Sequence, residues 1–504
     1  MIFLNKIINF FSRDRITRIY NNHDDAKFCQ KKTFDFLIEN GEKTEWGKIH
    51  QYTKNMSYSD FKDKTPISKY EDIFPFIEKM LNFEENILWP GKVYFFAKSS
   101  GTTNDKSKYI PMTEDNIKEC HLKGGKDAIF LHYEQKPESK IILGKSVGIG
   151  GSFDKNHQYN KNITIGDLSA ILMKKTPFLI DNLRVPKLEI ATLSSWEEKL
   201  EILASETIKE DVRLIAGVPS WSNLFLKKIL EKSNKKSIFE VWPNLEAFFH
   251  GGVSIDPYKE SFNDLFEEKI FYQEIYNASE GFFAIQDTSS KGMLLMLDYN
   301  IFYEFIPFDK INDKSFAIDI TQVSLGVQYA MIITTSSGLW RYLIGDVIEF
   351  VSISPYRIKI VGRTSHFINI FGEELMVANT DSALAKVCSI LKCKISEYSI
   401  APNINKDNSS GFHEWVIEFI DQSKNLDDFV SLLDREIRLL NSDYNTKRTN
   451  DLLLKLPVIR VVKTGTFYRF MGERKKLGGQ NKVPRLSHDR KYIESLIKIS
   501  NFND

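Results

Sequence analysis

The chain has 504 residues, 42% of them hydrophobic, which suffices for a sizeable core and sets an expectation of about two to four domains. Lysine and arginine number 68 against 67 aspartates and glutamates, and the net charge of +1 gives no global pull towards nucleic acid. Four scattered cysteines (Cys29, Cys120, Cys388, Cys393) make no disulfide framework and suit reduced thiols in a cytoplasmic protein, while nine dispersed histidines without H-E-x-x-H, and the lack of a G-x-S-x-G elbow, weaken zinc- and serine-hydrolase readings.

At the N-terminus, Phe3, Leu4, Ile7, Ile8 and Phe11 share one helical face, with Lys6 interrupting the apolar run and no small-residue cleavage site following. This predicts a docked amphipathic helix rather than a targeting segment or stable membrane insertion. No stretch reaches the ~18–20 apolar residues of a spanning helix. Residues 14 to 90 read as mostly helical and end at the turn Trp89-Pro90-Gly91. The apolar run Val93 to Ala97 predicts a buried strand. It feeds a loop of hydroxyls, lysines and one glycine: Ser99, Ser100, Gly101, Thr102, Thr103, Asn104, Asp105, Lys106, Ser107, Lys108. Such a loop can wrap an anion, because backbone N–H groups and hydroxyls donate to phosphate oxygens and lysines neutralise charge. It is not a Walker loop.

Thr113 then predicts an N-cap, with Glu114 and Asp115 suiting the helix dipole. Gly124-Gly125 inside the following helix costs roughly 2 kcal/mol relative to alanine, so close approach of a neighbour or ligand is expected there. Ile141 to Phe153 reads as a strand running into a glycine-rich turn, and Ser194 or Ser195 with Glu197 or Glu198 reads as a capping box. Val212 to Val218, Leu245 to Phe249 and Lys269 to Ile275 are short apolar strands. They end in Pro219-Ser220-Trp221, in His250-Gly251-Gly252 and in Tyr276-Asn277-Ala278-Ser279-Glu280-Gly281. Strand, turn and helix in that order predict α/β crossovers, and in open α/β sheets ligands sit at the carboxyl ends of strands. From Gly292 to Gly362 the pattern is β-rich. Beyond Gly362-Arg363-Thr364-Ser365 it becomes mixed, with helices near 379–391 and 425–441 and strands near 395–400, 413–420 and 457–463. The fold class expected is α/β: a large N-terminal α/β domain with mixed sheets and a β-rich subdomain (1–362), and a small mobile C-terminal α+β domain (363–504).

Nucleotide chemistry needs phosphate donors, a base platform, a ribose acceptor and cations. The Ser99–Thr103 loop can meet phosphates. Tyr276 offers an aromatic face, Glu280 a hard oxygen for Mg²⁺, and Asp346 in a Gly-Asp turn an acceptor for vicinal ribose hydroxyls. Lys482, between Gly478-Gly479 and Pro484, is a cation on a constrained loop.

Ser99-Ser100-Gly101-Thr102-Thr103, Tyr276-x-x-Ser279-Glu280 and Tyr342-x-x-Gly345-Asp346 resemble the three nucleotide-binding motifs of the Gretchen Hagen family of acyl acid–amino acid amido synthetases, in a bacterial-type form. The order matches over essentially the whole chain, and Gly217-Val218-Pro219-Ser220-Trp221, Gly251-Gly252 and Asn481-Lys482-x-Pro484-Arg485 also fit. The resemblance implies ATP-dependent activation of a carboxylic acid to an acyl-adenylate, then attack by an amino acid amine. It implies phosphate contacts for Ser99, Ser100, Gly101, Thr102 and Thr103. Gly251, Gly252 and Tyr276 would lie at the adenine, Ser279 beside them, Glu280 near Mg²⁺ and Asp346 on the ribose. Lys482 would stabilise charge in adenylation, and Arg363 and Ser365 lie where the wider luciferase-like superfamily has its hinge. The implied partners are a small carboxylic acid and an amino acid, with no nucleic acid. Asp105 replaces a common glycine, Leu343 a common arginine, and Ser365 and Asn369 the usual charged residues at the hinge. Two other readings are an acyl-CoA ligase using the same adenylate and a nucleotide-binding protein without turnover. Candidate acyl-lining segments are 120–125, 148–153 and 218–224.

Overall fold

A computed structural model describes residues 2–99, 108–267, 270–287, 292–364, 367–369, 373–404, 411–448, 454–478 and 481–501, with side chains from Ser12 onward apart from that of Leu179. Two compact units emerge. One comprises Met1–Gly217, Asn244–Gly252 and Phe271–Ile360, and the other Val218–Pro243, Val253–Ile270 and Val361–Asp504. The chain thus passes between units repeatedly. The last passage falls between Ile360 and Val361, and the two earlier excursions are 218–243 and 253–270.

The first unit is built on a twelve-stranded sheet. Its order is 318–319, 301–307, 328–335, 342–353, 356–363, 293–295, 281–285, 271–278, 247–251, 212–217, 145–148 and 184–185. The strands Lys145–Gly148, Val212–Gly217, Ala247–Gly251 and Phe271–Ala278 are parallel neighbours. Continuous apolar runs such as Leu214-Ile215 and Ala247-Phe248-Phe249 suit parallel strands covered on both faces, and Ile215, Ala247 and Phe248 are fully buried. From Phe271–Ala278 onward the pairing turns antiparallel, which is the β-rich stretch read from the sequence. A separate three-stranded sheet joins Phe95–Ser99 to Lys108–Met112 and Thr164–Gly166.

Local signals hold where they are self-contained. Thr113 caps its helix, with Oγ1 accepting the Asn116 N–H at 3.1 Å. Ser195, not Ser194, caps Trp196–Thr207 by accepting the Glu198 N–H at 3.3 Å, without the reciprocal bond of a capping box. Gly124 is crowded by a protein neighbour: a Cβ there would lie 2.5 Å from the Phe282 ring, whereas Gly125 has nothing within 4 Å. Two strand expectations shift. Ile141–Leu143 is a 3₁₀ turn and pairing starts at Lys145, where the Lys145 N–H meets the Asp211 carbonyl. The strand expected over 269–275 runs instead from Phe271 to Ala278, because its antiparallel partner Gly281–Ile285 extends it. Tyr276 therefore lies within the strand, not beyond its end. At the N-terminus the helix spans Ile2–Asp24, but the side chains of its expected apolar face lie outside the described residues. No described helix is long and apolar enough to cross a membrane.

The second unit centres on a three-stranded sheet. Lys394–Ile404 pairs antiparallel with Gly411–Asp421, which pairs parallel with Val458–Val462. The helices Val377–Leu391 and Leu426–Leu440 match the expected 379–391 and 425–441 and pack on its apolar core around Tyr398, Trp415, Leu433 and Ile437. The helix Pro219–Ser233 and the segment 256–266 belong to this unit as well.

Candidate active site

In the first unit, the parallel strands bring their turns to one edge. Gly148 stands beside Ala216, Gly217 beside His250, and Gly251 beside Ile275. Gly251 is there because a Cβ would sit 2.2 Å from the Ile275 carbonyl oxygen, and Gly252 turns the chain with φ +88°. One position past Ile275, the Tyr276 ring is buried 4.8 Å from that of Phe283, and its hydroxyl donates to Asp346 Oδ2 at 2.5 Å. Two motif residues 70 positions apart are thus in contact. Asp346 is half-buried on Tyr342–Ile353. Ser279 and Glu280 form the tight turn between Phe271–Ala278 and Gly281–Ile285 and are 3% and 8% exposed.

The hydroxyl loop leaves a different sheet. Ser99 is the last residue of its strand and pairs with Lys108, so the loop closes a β-hairpin, not a parallel crossover. Ser100, Gly101, Thr102 and Thr103 lie outside the described residues. The roots of the hairpin are tied to the rest of the edge. Lys108 Nζ donates to the Tyr342 hydroxyl at 3.2 Å, on the strand that carries Asp346, and Lys98 Nζ meets Asp154 Oδ2 at 2.7 Å beside the glycine-rich turn. Burial opposes the charge on Lys98, but its Asp154 partner more than offsets this and holds the pKa above the usual lysine value.

Two supporting networks were not read from the sequence. Arg341, held at φ +41°, makes a bidentate pair with Glu304 at 2.9 and 2.8 Å, and its Nη1 donates to the Lys62 and Thr65 carbonyls. The backbones of Arg341 and Leu343 also bond Ser68, so the start of the Asp346 strand is clamped. The readable signal was a lone glutamate in the apolar run Ile301–Pro307 and a lone arginine between Trp340 and Tyr342, since a buried charge needs a partner. The second network holds the turn 150–152. Lys199 Nζ donates to the Gly150 and Gly151 carbonyls at 3.0 and 3.2 Å, Asp167 Oδ2 accepts the Ser152 N–H at 2.7 Å, and Ser169 Oγ accepts the Gly151 N–H at 2.8 Å. Burial pulls the Lys199 pKa down to about 8, against the opposing pull of Asp167, and raises that of Asp167.

Lys482 and Arg363 belong to the second unit. Lys482 is exposed on the loop that follows Gly478, and Arg363 is half-buried at the end of Tyr356–Arg363. Ser365 lies outside the described residues.

The chain is similar to known proteins over most of its length. The GH3 family N-terminal domain matches residues 15–270, the GH3 family central domain residues 294–363 and the GH3 family C-terminal domain residues 378–491. The chain is 24% identical to indole-3-acetic acid-amido synthetase GH3.3 of Arabidopsis thaliana, over 91% of this chain and 89% of that protein. In structure it is similar to the GH3.15 acyl acid amido synthetase in complex with 2,4-DB, with a TM-score of 0.77 at 16% identity over 98% and 96% of the two chains. It is also similar to 2-hydroxyisobutyryl-CoA ligase in its postadenylation state, with a TM-score of 0.61 at 12% identity over 95% and 92%. The three domain matches follow one another along most of the chain, and the protein belongs to the GH3 family.

Proposed function

We propose that the protein activates a carboxylic acid with ATP and joins it to an amino acid. A carboxylate oxygen attacks the α-phosphorus, the bond to pyrophosphate breaks, and an acyl-adenylate forms. The amine nitrogen of the amino acid then attacks the acyl carbon, AMP leaves, and the amine proton passes to solvent. Adenylation is needed because a carboxylate is a poor electrophile with a poor leaving group. The observation that carries the reading is the contact between Tyr276 and Asp346 at the carboxyl edge of the parallel strands, within a chain of this family.

In this reading Asp346 accepts from the ribose hydroxyls, fixed there by the Tyr276 hydroxyl and the Arg341–Glu304 clamp. The Tyr276 ring, Gly251 and Gly252 border the adenine, with Ser279 in the adjoining turn. Ser99, Ser100, Gly101, Thr102 and Thr103 surround the phosphates. Glu280 offers one hard carboxylate, which suits a Mg²⁺ that arrives with substrate phosphates rather than in an all-protein cage; no cluster of three or more metal-ligating side chains occurs among the described residues. Mg²⁺ there would offset charge on the phosphates. Lys482 stabilises the charge that gathers as pyrophosphate leaves. Residues 363–504 move about a hinge at Arg363 between the two half-reactions, and water is kept from the adenylate. The four cysteines, all buried and free, suit a cytoplasmic setting.

The test is ATP-dependent pyrophosphate release with indole-3-acetic acid, jasmonic acid, a 4-substituted benzoate, 2,4-DB and 2-hydroxyisobutyric acid. Each is run alone, with pooled amino acids and with CoA. Release that rises with amino acids, with an amide detected by mass spectrometry, supports the proposal; release that responds only to CoA moves the protein to the ligase class. Lys482→Ala should slow pyrophosphate release about 100-fold while ATP binding is retained. Unchanged release in that variant would remove Lys482 from the mechanism.

A further inference from the structure

The loop that carries Lys482 is fastened on both sides of the lysine. Ahead of it, the Trp221 indole N–H donates to the Asn481 carbonyl at 2.9 Å. Behind it, the Ser399 hydroxyl donates to the Pro484 carbonyl at 2.7 Å and the Ile400 N–H to the Arg485 carbonyl at 2.8 Å. Arg485 then drives into the interior. Its Nη2 lies 2.5 Å from the Tyr258 hydroxyl and 2.9 Å from Glu397 Oε1, while Tyr258 donates to Glu397 Oε2 at 3.0 Å. Nη1 faces Asp381 Oδ1 at 3.9 Å, and the guanidinium lies 4.2 Å from the centre of the Tyr398 ring. Arg485, Tyr258, Glu397 and Asp381 are all buried.

Desolvating an arginine and two carboxylates is a weak source of stability. What the cluster supplies is a fixed position: a loop pinned at residues 481, 484 and 485 holds the backbone on both sides of Lys482. Fixing a charged group ahead of the reaction removes the orientational cost of reaching the transition state.

The fastening also has a notable origin. Ser399, Glu397 and Asp381 come from the same C-terminal stretch as the loop. Trp221 and Tyr258 come from 218–270, ahead of the hinge expected near Arg363.

We propose that Trp221, Tyr258 and Arg485 are positioning residues for Lys482, forming a clasp that orders its loop for the adenylation half-reaction and plays no part in amide formation. This rests on the role proposed for Lys482 above. Tyr258→Phe keeps the ring and removes the hydroxyl shared by Arg485 and Glu397. Trp221→Phe removes the indole donor.

The experiment measures acid-dependent ATP–pyrophosphate exchange, using the acid of the panel above that the wild-type protein exchanges fastest. It is paired with amide formation from the presynthesised acyl-adenylate and with amide hydrogen exchange across residues 481–487. Both variants should lower kcat for exchange about 10- to 100-fold with KM for ATP unchanged. Both should also speed hydrogen exchange at 481–487 without raising it elsewhere. Tyr258→Phe should leave amide formation from the adenylate at the wild-type rate, and neither substitution should lower the residual exchange of Lys482→Ala further.

Equal slowing of both half-reactions, or losses that multiply with that of Lys482→Ala, would overturn the proposal and leave these residues a structural role only. A wild-type exchange rate in Lys482→Ala would instead overturn the role proposed for Lys482, and no exchange by the wild-type protein with any acid of the panel would overturn the functional reading. In that event hydrogen exchange decides the clasp, and unchanged protection at 481–487 in both variants would overturn it.

Discussion

Arg341 and Arg485 are both buried, and each stands a few residues from a motif residue, Asp346 in one case and Lys482 in the other. They are satisfied in different ways. Arg341 meets one carboxylate in a bidentate pair and spends its remaining nitrogen on two backbone carbonyls, so charge is balanced and the group is closed. Arg485 faces two carboxylates and two tyrosines. Burial pushes the pKa values of Glu397 and Asp381 up, and Arg485 opposes that rise without cancelling it. The difference is one of adjustability. A guanidinium cannot shed its proton, so the first cluster has no response to losing its partner. A carboxylate can take a proton, so the second has one.

The sharpest way to break this comparison is Glu304→Ala. It leaves Arg341 charged and buried, and should cost about 3–5 kcal/mol in urea unfolding. The double variant Glu304→Leu with Arg341→Met should cost less than Glu304→Ala alone, because no charge is stranded. A loss below ~1 kcal/mol for Glu304→Ala would mean that the clamp around Tyr342 is not what the distances indicate.

Arg485→Met should be milder, roughly 2–3 kcal/mol at pH 8, and should lessen towards pH 5 as the stranded carboxylates bind protons. The sign follows from the direction of the shifts. Both folded-state pKa values are raised, so the folded protein binds more protons than the unfolded chain above the unfolded carboxylate pKa of ~4. The contribution of these groups to stability is fully present below that pH and is lost as pH rises through their folded pKa values. Removing Arg485 raises those values further, so the loss deepens as pH rises. A destabilisation that does not vary between pH 5 and 8 would contradict the surplus of carboxylate.

The smallest effect belongs to an exposed pair. Lys31 and Asp35 meet at 2.6 Å one helical turn apart but are 65% and 45% exposed. Lys31→Ala should change stability by less than ~0.5 kcal/mol, and high salt should abolish the difference.

The apolar runs at 212–218, 245–249 and 269–275 marked the parallel strands to within two or three residues, and Thr113 marked a helix start. The short motifs Tyr276-x-x-Ser279-Glu280 and Tyr342-x-x-Gly345-Asp346 marked the family. Each of these depends on neighbours within a few positions: a strand on its own side-chain alternation or apolar length, a cap on the N–H groups three residues on. What the sequence left open was every relation over distance. The hydroxyl loop closes a hairpin in a separate three-stranded sheet because Ser99 pairs with Lys108 and Phe95 with Thr164. Glu304 finds Arg341 across 37 positions, and Trp221 finds Asn481 across 260. Nothing in periodicity or turn chemistry names such partners. They follow from which strands lie side by side and which buried charges must be neutralised once water has been excluded, and that is decided only when the whole chain is packed.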